Sequence, residues 1–305
     1  MKKLGVGLFL PNDPSHLELY ADLIDGEADY FELSPESFWV GSSAGAGIEF
    51  HESVKIFEAI RDLVQKPFVG HGLAFSPGTP VEGGIEKKRT SDWLDILKRT
   101  QEKFNFRWYS EHLGFSNSAS GVHAVLPLPL PQNEESTRTV SERMALLKNI
   151  FPEVAFENSV FYMSLDDPAL EGEFYNDLCT ASGSKLMLDL HNVYTHCFNF
   201  NVDPEFFIST INLENVIQIH LSGGSLSAPA WFKSEKTMRL DSHDSLIPPE
   251  VMKLYESVLP KCKNLRGVIV ERLNKTLPPE KIDQFTEQFR KVKILFNDLG
   301  TSAVE

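Results

Sequence analysis

Cysteine is scarce in this sequence of 305 residues: Cys179, Cys197 and Cys262 are widely spaced, odd in number and form no CxxC pair. That pattern argues against a disulfide framework and against cysteine-ligated zinc, and it fits the reducing cytoplasm. Any metal is then expected on histidine and carboxylate. Long apolar runs are also missing, so no stretch reaches the length of a membrane span. The opening MKKLGVGLFLPNDP is interrupted by Pro11 and Asn12, and no small-residue cleavage site follows. It reads as a first strand, not as a signal peptide. Positive charge is outweighed, with 29 Lys and Arg against 43 Asp and Glu and a net charge of −14. Broad binding to a phosphate backbone is disfavoured, which argues against DNA or RNA as substrate. Low-complexity segments and domain linkers are absent, so residues 1–305 read as one catalytic domain.

What is there is an alternation of short apolar runs with helical patterns, the signal of a parallel sheet with crossover helices. The runs are LGVGLFL, DYFELS, FVGH, WYSEH, EVAFE, KLMLDL, NVIQIHL and GVIVE. Between them the spacing predicts helices over SHLELYADLI with Ser15 as N-cap, over residues 52–64, and over SDWLDILKRTQEKF from a Ser or Asp cap. Further helices are expected over TRTVSERMALLKNI, DPALEGEFYNDLCTAS, PEFFISTIN, PEVMKLYESVL and PPEKIDQFTEQFRKVKILFNDL. Eight strand and helix units in this length imply an α/β fold, a (β/α)8 TIM barrel. Two long connections, after WYSEH and after NVIQIHL, are expected to be functional loops. LPLPLP in the first of them lacks alternate N–H donors and is expected as an extended wall of the cleft, not a central strand.

Six of the runs end in the same way, at His71, His112, Glu157, Asp189, His220 and Glu271. In a barrel, strand C-termini meet at one mouth, so these side chains are expected to converge there as metal ligands. Neutral imidazole and ionised carboxylate are the common ligands of divalent first-row metals. Asp241 and His243 form a DxH pair able to chelate one ion from an extended segment. Asn192 adds an amide oxygen near Asp189. Nine such ligands exceed what one metal uses, which suggests two or three ions. Taken singly, each strand-end histidine has a bland alternative as a hydrogen-bonded structural residue, and Glu157 and Asp189 as helix caps. His16, His51, His123 and His196 have no comparable setting and are assigned to surface or loop roles. The cysteines read as inert packing. Phe75, Trp231 and Phe232 fall in mouth loops and are candidates to line a substrate cleft.

The ordered set GVGL (5–8), FELSPESF (31–38), GHGLAFSPG (70–78), YSEHLGFS (109–116), Glu157-Asn158, LDLHNVY (188–194), QIHLSGG (218–224), DSHD (241–244) and IVER (269–272) resembles the multinuclear non-haem iron-dependent oxidative enzymes. These TIM barrels include methanobactin-type and peptide-tailoring cysteine oxidases. The strand-end pattern is also similar to that of three-zinc apurinic endonucleases and sugar-isomerase-like barrels. The resemblance implies one metal on His71, His112 and Glu157, and a second on Glu157, Asp189, His220 and Glu271. A third falls on Asn192, Asp241 and His243. Glu157 is the bridge, and Glu157, Asp189 and His220 are the catalytic centre. His191 departs from the family, which more often has Asn there, and LNKTLPPE (273–280) departs from the acidic turn expected after Arg272.

By that resemblance the reaction is O2-dependent oxidation of a cysteine in a ribosomally synthesised precursor peptide. It would use Fe(II)/Fe(III) and lead to oxazolone or thioamide formation or to β-carbon excision. Asn158, Ser76 and Arg239 are the expected substrate contacts. A small peptide-recognition partner protein is implied, because no leader-binding module is appended. The alternatives are a metal-dependent hydrolase, endonuclease or sugar isomerase on the same ligands, and a non-enzymatic protein with a structural cluster. The latter conflicts with so many ligands at an open mouth.

Overall fold

All eight apolar runs form parallel strands, and each hydrogen-bonds to its neighbours in sequence until the last pairs with the first. The computed structural model describes residues 2–41, 47–118, 123–229, 236–273 and 275–300. In chain order the strands are β1 (Gly5–Phe9), β2 (Phe31–Leu33), β3 (Trp39–Gly41), β4 (Ile48–Phe50), β5 (Phe68–Gly72), β6 (Tyr109–His112), β7 (Phe115–Asn117), β8 (His123–Leu128), β9 (Val154–Glu157), β10 (Lys185–Asp189), β11 (Val216–Leu221) and β12 (Gly267–Val270). The barrel runs β1-β2-β5-β6-β9-β10-β11-β12, while β3–β4 and β7–β8 are hairpins outside it. The helices are α1 (Pro14–Leu19), α2 (Val54–Val64), α3 (Gly84–Phe104), α4 (Glu134–Lys148), α5 (Glu171–Ser182), α6 (Leu190–Phe200), α7 (Pro204–Thr210), α8 (Pro249–Val258) and α9 (Ile282–Gly300). The chain is a TIM barrel.

Strand alternation divides the core in two. Phe31, Leu33, Phe68, Val154, Phe156, Leu186 and Leu188 pack outward with Phe57, Phe104, Val140 and Phe289 of the helices. A separate inner cluster, Tyr30, Val69, Trp108, Ala155, Met187, Ile217 and Ile269, fills the barrel. Two residues further along most of these strands stand Glu32, His71, Ser110, Glu157, Asp189 and Glu271. An apolar floor therefore lies beneath a polar layer, and it closes the site from below.

Several local expectations are corrected. Asp13, not Ser15, caps α1: its carboxylate accepts from the Ser15 and His16 backbone N–H groups, with Pro14 at the first helical position. Helix α3 begins at Gly84, ahead of the expected SDW start. The hairpin β3–β4 flanks the Gly and Ser-rich loop. Leu126, Pro127 and Leu128 join the hairpin β7–β8, off the barrel as the missing donors require. The largest correction is α6, which starts directly after Asp189 with no loop, so that His191 and Asn192 lie in its first turn. Trp231 and Phe232 lie outside the described residues.

The loop after β5 is pinned by a buried ion pair. Arg143 and Glu86 are both fully buried; Arg143 Nη1 donates to Glu86 Oε1 at 2.9 Å and to Thr90 Oγ1 at 2.8 Å, and Nη2 donates to the Phe75 carbonyl. Arg89 Nη2 donates to the same carbonyl at 2.9 Å and to Glu86 Oε1 at 2.8 Å. Phe75 is fully buried beneath the Arg143 guanidinium, 4.2 Å from its ring centroid. It anchors the loop and is not a wall of an open cleft.

Candidate metal centre

The strand ends deliver His71, His112, Glu157, Asp189, His220 and Glu271 to one mouth, and the connection after β11 adds Asp241 and His243. Their ligand atoms fall into groups of three, each within 4.8 Å of one another: His71, His112 and Glu157; Glu157, Asp189 and His220; Asp189, His243 and Glu271; His191, Asp241 and His243. Glu157 Oε2 is 2.7 Å from His112 Nε2 and 3.4 Å from His71 Nε2. Glu271 reaches His220 Nδ1 at 3.1 Å through Oε2 and His243 Nδ1 at 3.2 Å through Oε1. Asp241 Oδ1 stands 2.6 Å from His243 Nε2. His243 has φ +44°, an uncommon backbone for a side chain of this size, and its carbonyl accepts from Leu273 N at 3.1 Å.

Burial makes this cluster electrostatically demanding. It disfavours the charged ring of His112, but the Glu157 carboxylate outweighs that cost and lifts His112 to about 9. His220 is raised well above the imidazole range against the same cost, by Glu32 and Glu271, and His243 by Glu271 and Asp241. Burial works to raise Glu157 and Glu271, yet the facing imidazoles hold both below the carboxylate range. Asp189 is pushed well above it, first by burial and then by the Glu157 charge. Every recorded ion-pair partner of Glu32, Glu157, Asp241 and Glu271 among the described residues is an imidazole. The cluster is short of positive charge, which in the metal-free protein comes from protons on histidine.

The residues fit a multinuclear metal centre. Asp189 Oδ2, His191 Nδ1 and Asn192 Oδ1 are buried without a hydrogen-bond partner, and Glu157 Oε2, Asp241 Oδ1 and His243 Nε2 meet only other ligand atoms of the cluster. Such atoms are costly one at a time, and a concentration of them at one mouth is accounted for by cations. The donors are imidazole nitrogen and carboxylate oxygen, the set that suits zinc, iron or manganese.

Other expected residues have different neighbours. Asn192 places its amide nitrogen 3.0 Å from Glu157 Oε1 and 3.1 Å from the Asn158 carbonyl. The cluster with Asp241 and His243 instead contains His191, whose Nδ1 is 3.8 Å from Asp241 Oδ1. His191 is fully buried, which pushes it down to about 4 despite Asp241. Gly224 makes this possible, since a Cβ there would lie 2.8 Å from the His191 ring and 2.1 Å from the Leu240 carbonyl. Asn158 is occupied in a reciprocal pair, donating to the Asp189 carbonyl at 2.9 Å and accepting from its N–H at 2.7 Å. Ser76 is buried, and its hydroxyl accepts from Ser116 and Asn117 N–H and meets Thr79. Both side chains are tied into the scaffold. Arg239 donates to the Gly224 carbonyl at 2.8 Å and stacks 4.6 Å from the Tyr194 ring.

Asp189 has two roles at once. Its Oδ1 caps α6 by accepting from Asn192 N at 2.7 Å, while Oδ2 is unpartnered in the cluster. Glu32 was not expected at the site, and it lies 3.0 Å from His220 Nε2. Of the histidines assigned to the surface, His16 and His196 are buried and His51 is exposed, while the His123 side chain lies outside what is described. All three cysteines are buried and free, with thiols pushed up to about 12 by burial.

The fold and site define the class: a TIM-barrel protein with a histidine and carboxylate cluster at the C-terminal mouth of its strands. Comparison with known proteins narrows this. The chain belongs to the RiPP precursor modification enzyme family MbnB/TglH/ChrH, whose family model matches residues 5–294. A UPF0276 protein of Rhizorhabdus wittichii is 28% identical over 287 residues, 92% of this chain and 91% of its own. Another from Caulobacter vibrioides is 28% identical over 255 residues, 83% of this chain and 81% of its own. Among solved structures, endonuclease IV of Thermus thermophilus superposes with a TM-score of 0.53 at 18% identity, covering 94% of this chain and 98% of its own. A xylose isomerase domain-containing protein of Salmonella typhimurium gives 0.59 at 13% identity, covering 96% and 98%. At these identities the two structures share the fold alone. No helix among the described residues is long and apolar enough to cross a membrane.

Proposed function

We propose that this enzyme oxidises a cysteine of a ribosomally synthesised precursor peptide, using O2 and two or three iron ions, in the cytoplasm. The observation that supports it most is the sharing of Glu157 between the His71 and His112 group and the Asp189 and His220 group, in a chain whose family modifies precursor peptides. One carboxylate common to two sets of donors would hold two ions side by side. His71, His112 and Glu157 would hold one ion, Glu157, Asp189, His220 and Glu271 a second, and Asp241 and His243 a third with His191 and Asn192 beside them. When bound, iron would supply the redox chemistry with O2 and an open position for the substrate thiolate.

The protein's own contribution is electrostatic and steric. Glu157, Asp189 and Glu271 bring enough negative charge to hold several cations, and the apolar floor excludes water from below. Asn158 locks the end of β9 to that of β10, which fixes Glu157 relative to Asp189. Arg239 faces the loop that covers His191 and is the remaining candidate for a substrate contact, with Asn158 and Ser76 supporting the mouth from behind. A small partner protein would present the peptide.

The test is metal analysis of protein purified without oxygen, followed by O2 consumption with cysteine-containing peptides. Iron in the protein and peptide-dependent O2 uptake are expected. Zinc alone in active protein, with turnover under argon on a sugar or phosphoester, would establish the isomerase or hydrolase reading instead.

A further inference from the structure

His220 is held from below by three buried side chains that the metal reading leaves without a purpose. The Trp108 indole, which can only donate, gives its N–H to Gln218 Oε1 at 2.5 Å. That orients the Gln218 amide, so its NH2 faces Glu32 Oε2 at 2.6 Å. The same Glu32 oxygen lies 3.0 Å from His220 Nε2. Trp108, Gln218, Glu32 and His220 are all fully buried, and they come from β2, β11 and the residue just before β6. The Gln218 NH2, 3.2 Å from His220 Nε2, cannot accept a proton, so the acceptor facing that nitrogen is the Glu32 carboxylate. A bare Nε2 could accept from that NH2 but would set its lone pair against the nearer Glu32 carboxylate, so the arrangement favours hydrogen on Nε2, which in the neutral ring leaves the lone pair on Nδ1. That atom faces Glu271 Oε2 at 3.1 Å. A lone pair and a carboxylate oxygen at this distance share a positive charge, a proton in the metal-free protein and a metal ion in the loaded one.

His71 has no such support. Its Nδ1 meets the neutral Ser110 hydroxyl at 2.9 Å, which leaves Nε2 toward Glu157. Two kinds of imidazole thus face the mouth, one backed by a hydroxyl and one by a carboxylate.

We propose that Glu32 is a positioning residue of the metal centre, taking the Nε2 proton of His220 so that His220 binds its ion through Nδ1 with raised basicity. The inference rests on the mouth being a metal site, but not on the identity of the metal or of the reaction. A carboxylate behind a ligating imidazole fixes its tautomer, and its loss typically lowers metal affinity about 10–100-fold.

The full chain loaded with zinc, which is diamagnetic, provides the test. Nitrogen-15 histidine NMR is expected to show His220 protonated at Nε2 and coordinated at Nδ1. Chelator competition should find Glu32→Gln weakened by about 10–100-fold for one ion, with the others unchanged. Coordination through Nε2 in the parent, or parental zinc affinity in Glu32→Gln, would overturn the proposal. The NMR readout needs no variant and decides the matter even if Glu32→Gln does not fold. His220→Ala separates the two levels: if it keeps every zinc ion, the metal reading itself fails. If it loses one while Glu32→Gln loses none, only the role of Glu32 fails.

Discussion

Glu157 is used on both of its oxygens. Oε2 faces His71 and His112, Oε1 accepts from Asn192, and the same carboxylate completes the group with Asp189 and His220. Glu157→Ala is therefore expected to remove two ions by elemental analysis, whereas His112→Ala removes one; loss of a single ion from both would contradict the bridge. His191 poses a separate question, because an imidazole is a stronger ligand than an amide. His191→Asn should weaken retention of the ion at Asp241 and His243 under chelator and leave the other ions in place. The convergence of the eight strand-end and DxH side chains was legible because alternation sends strand residues two apart to one face and the polar partner is terminal. Glu32 was not legible. It sits inside a short strand, and its partner His220 is 188 residues away in sequence, so nothing local marks it.

At the scale of elements, the junction of β10 with α6 was misread for a physical reason. A strand that passes into a helix without a loop leaves no Gly or Pro punctuation, and the capping residue Asp189 also reads as a strand-end ligand. Helices α5 and α6 meet at a buried pair whose protonation can be deduced. His196 Nε2 donates to the Pro168 carbonyl at 2.7 Å, so Nδ1 is the lone-pair nitrogen, and it faces Glu171 Oε2 at 3.4 Å. Only a protonated carboxyl suits that neighbour, and burial pushes Glu171 up to about 7. The native state therefore binds a proton that the unfolded chain releases near the ordinary carboxylate value. The stability it contributes is complete below that value and is lost as pH rises toward about 7. Glu171→Gln should abolish this slope, and thermal melts of the metal-loaded protein from pH 5 to 7 would fall for the parent and stay level for the variant if the assignment holds. The Arg143 and Glu86 pair calls for a different measurement. Arg143→Ala leaves Glu86 buried without its partner across α3 and α4 and should cost about 3–5 kcal/mol in urea unfolding. A loss below about 1 kcal/mol, the size of a surface pair, would show that Arg89 alone satisfies Glu86.

For the whole molecule, the eight-strand count was legible because each strand of a parallel barrel is buried on both faces and reads as an unbroken apolar run. The depth of the site was not legible, because the floor of Tyr30, Trp108, Met187 and Ile269 is drawn from strands far apart in sequence. That floor and the larger outer core are apolar and contain no candidate ligand, so the barrel has a scaffold independent of its mouth. Removing metal should leave the far-UV circular dichroism unchanged and lower the melting temperature. At a free metal concentration of about 1,000 times Kd, an ion bound only by the native state contributes roughly 4 kcal/mol. The loss should also depend on pH. In the metal-free protein, protons on the imidazoles supply the charge that the carboxylates need, and Glu157 lifts His112 to about 9 after the cost of burial. A raised imidazole contributes stability that is complete below its ordinary value near 6.5 and is lost as pH rises through about 9. Chelated protein should therefore lose melting temperature steadily between those limits. Metal-loaded protein should not, because its cations do not titrate away and uptake becomes more favourable as the imidazoles release protons. Parallel pH profiles for the chelated and loaded forms would show that the mouth does not depend on cations for its charge balance.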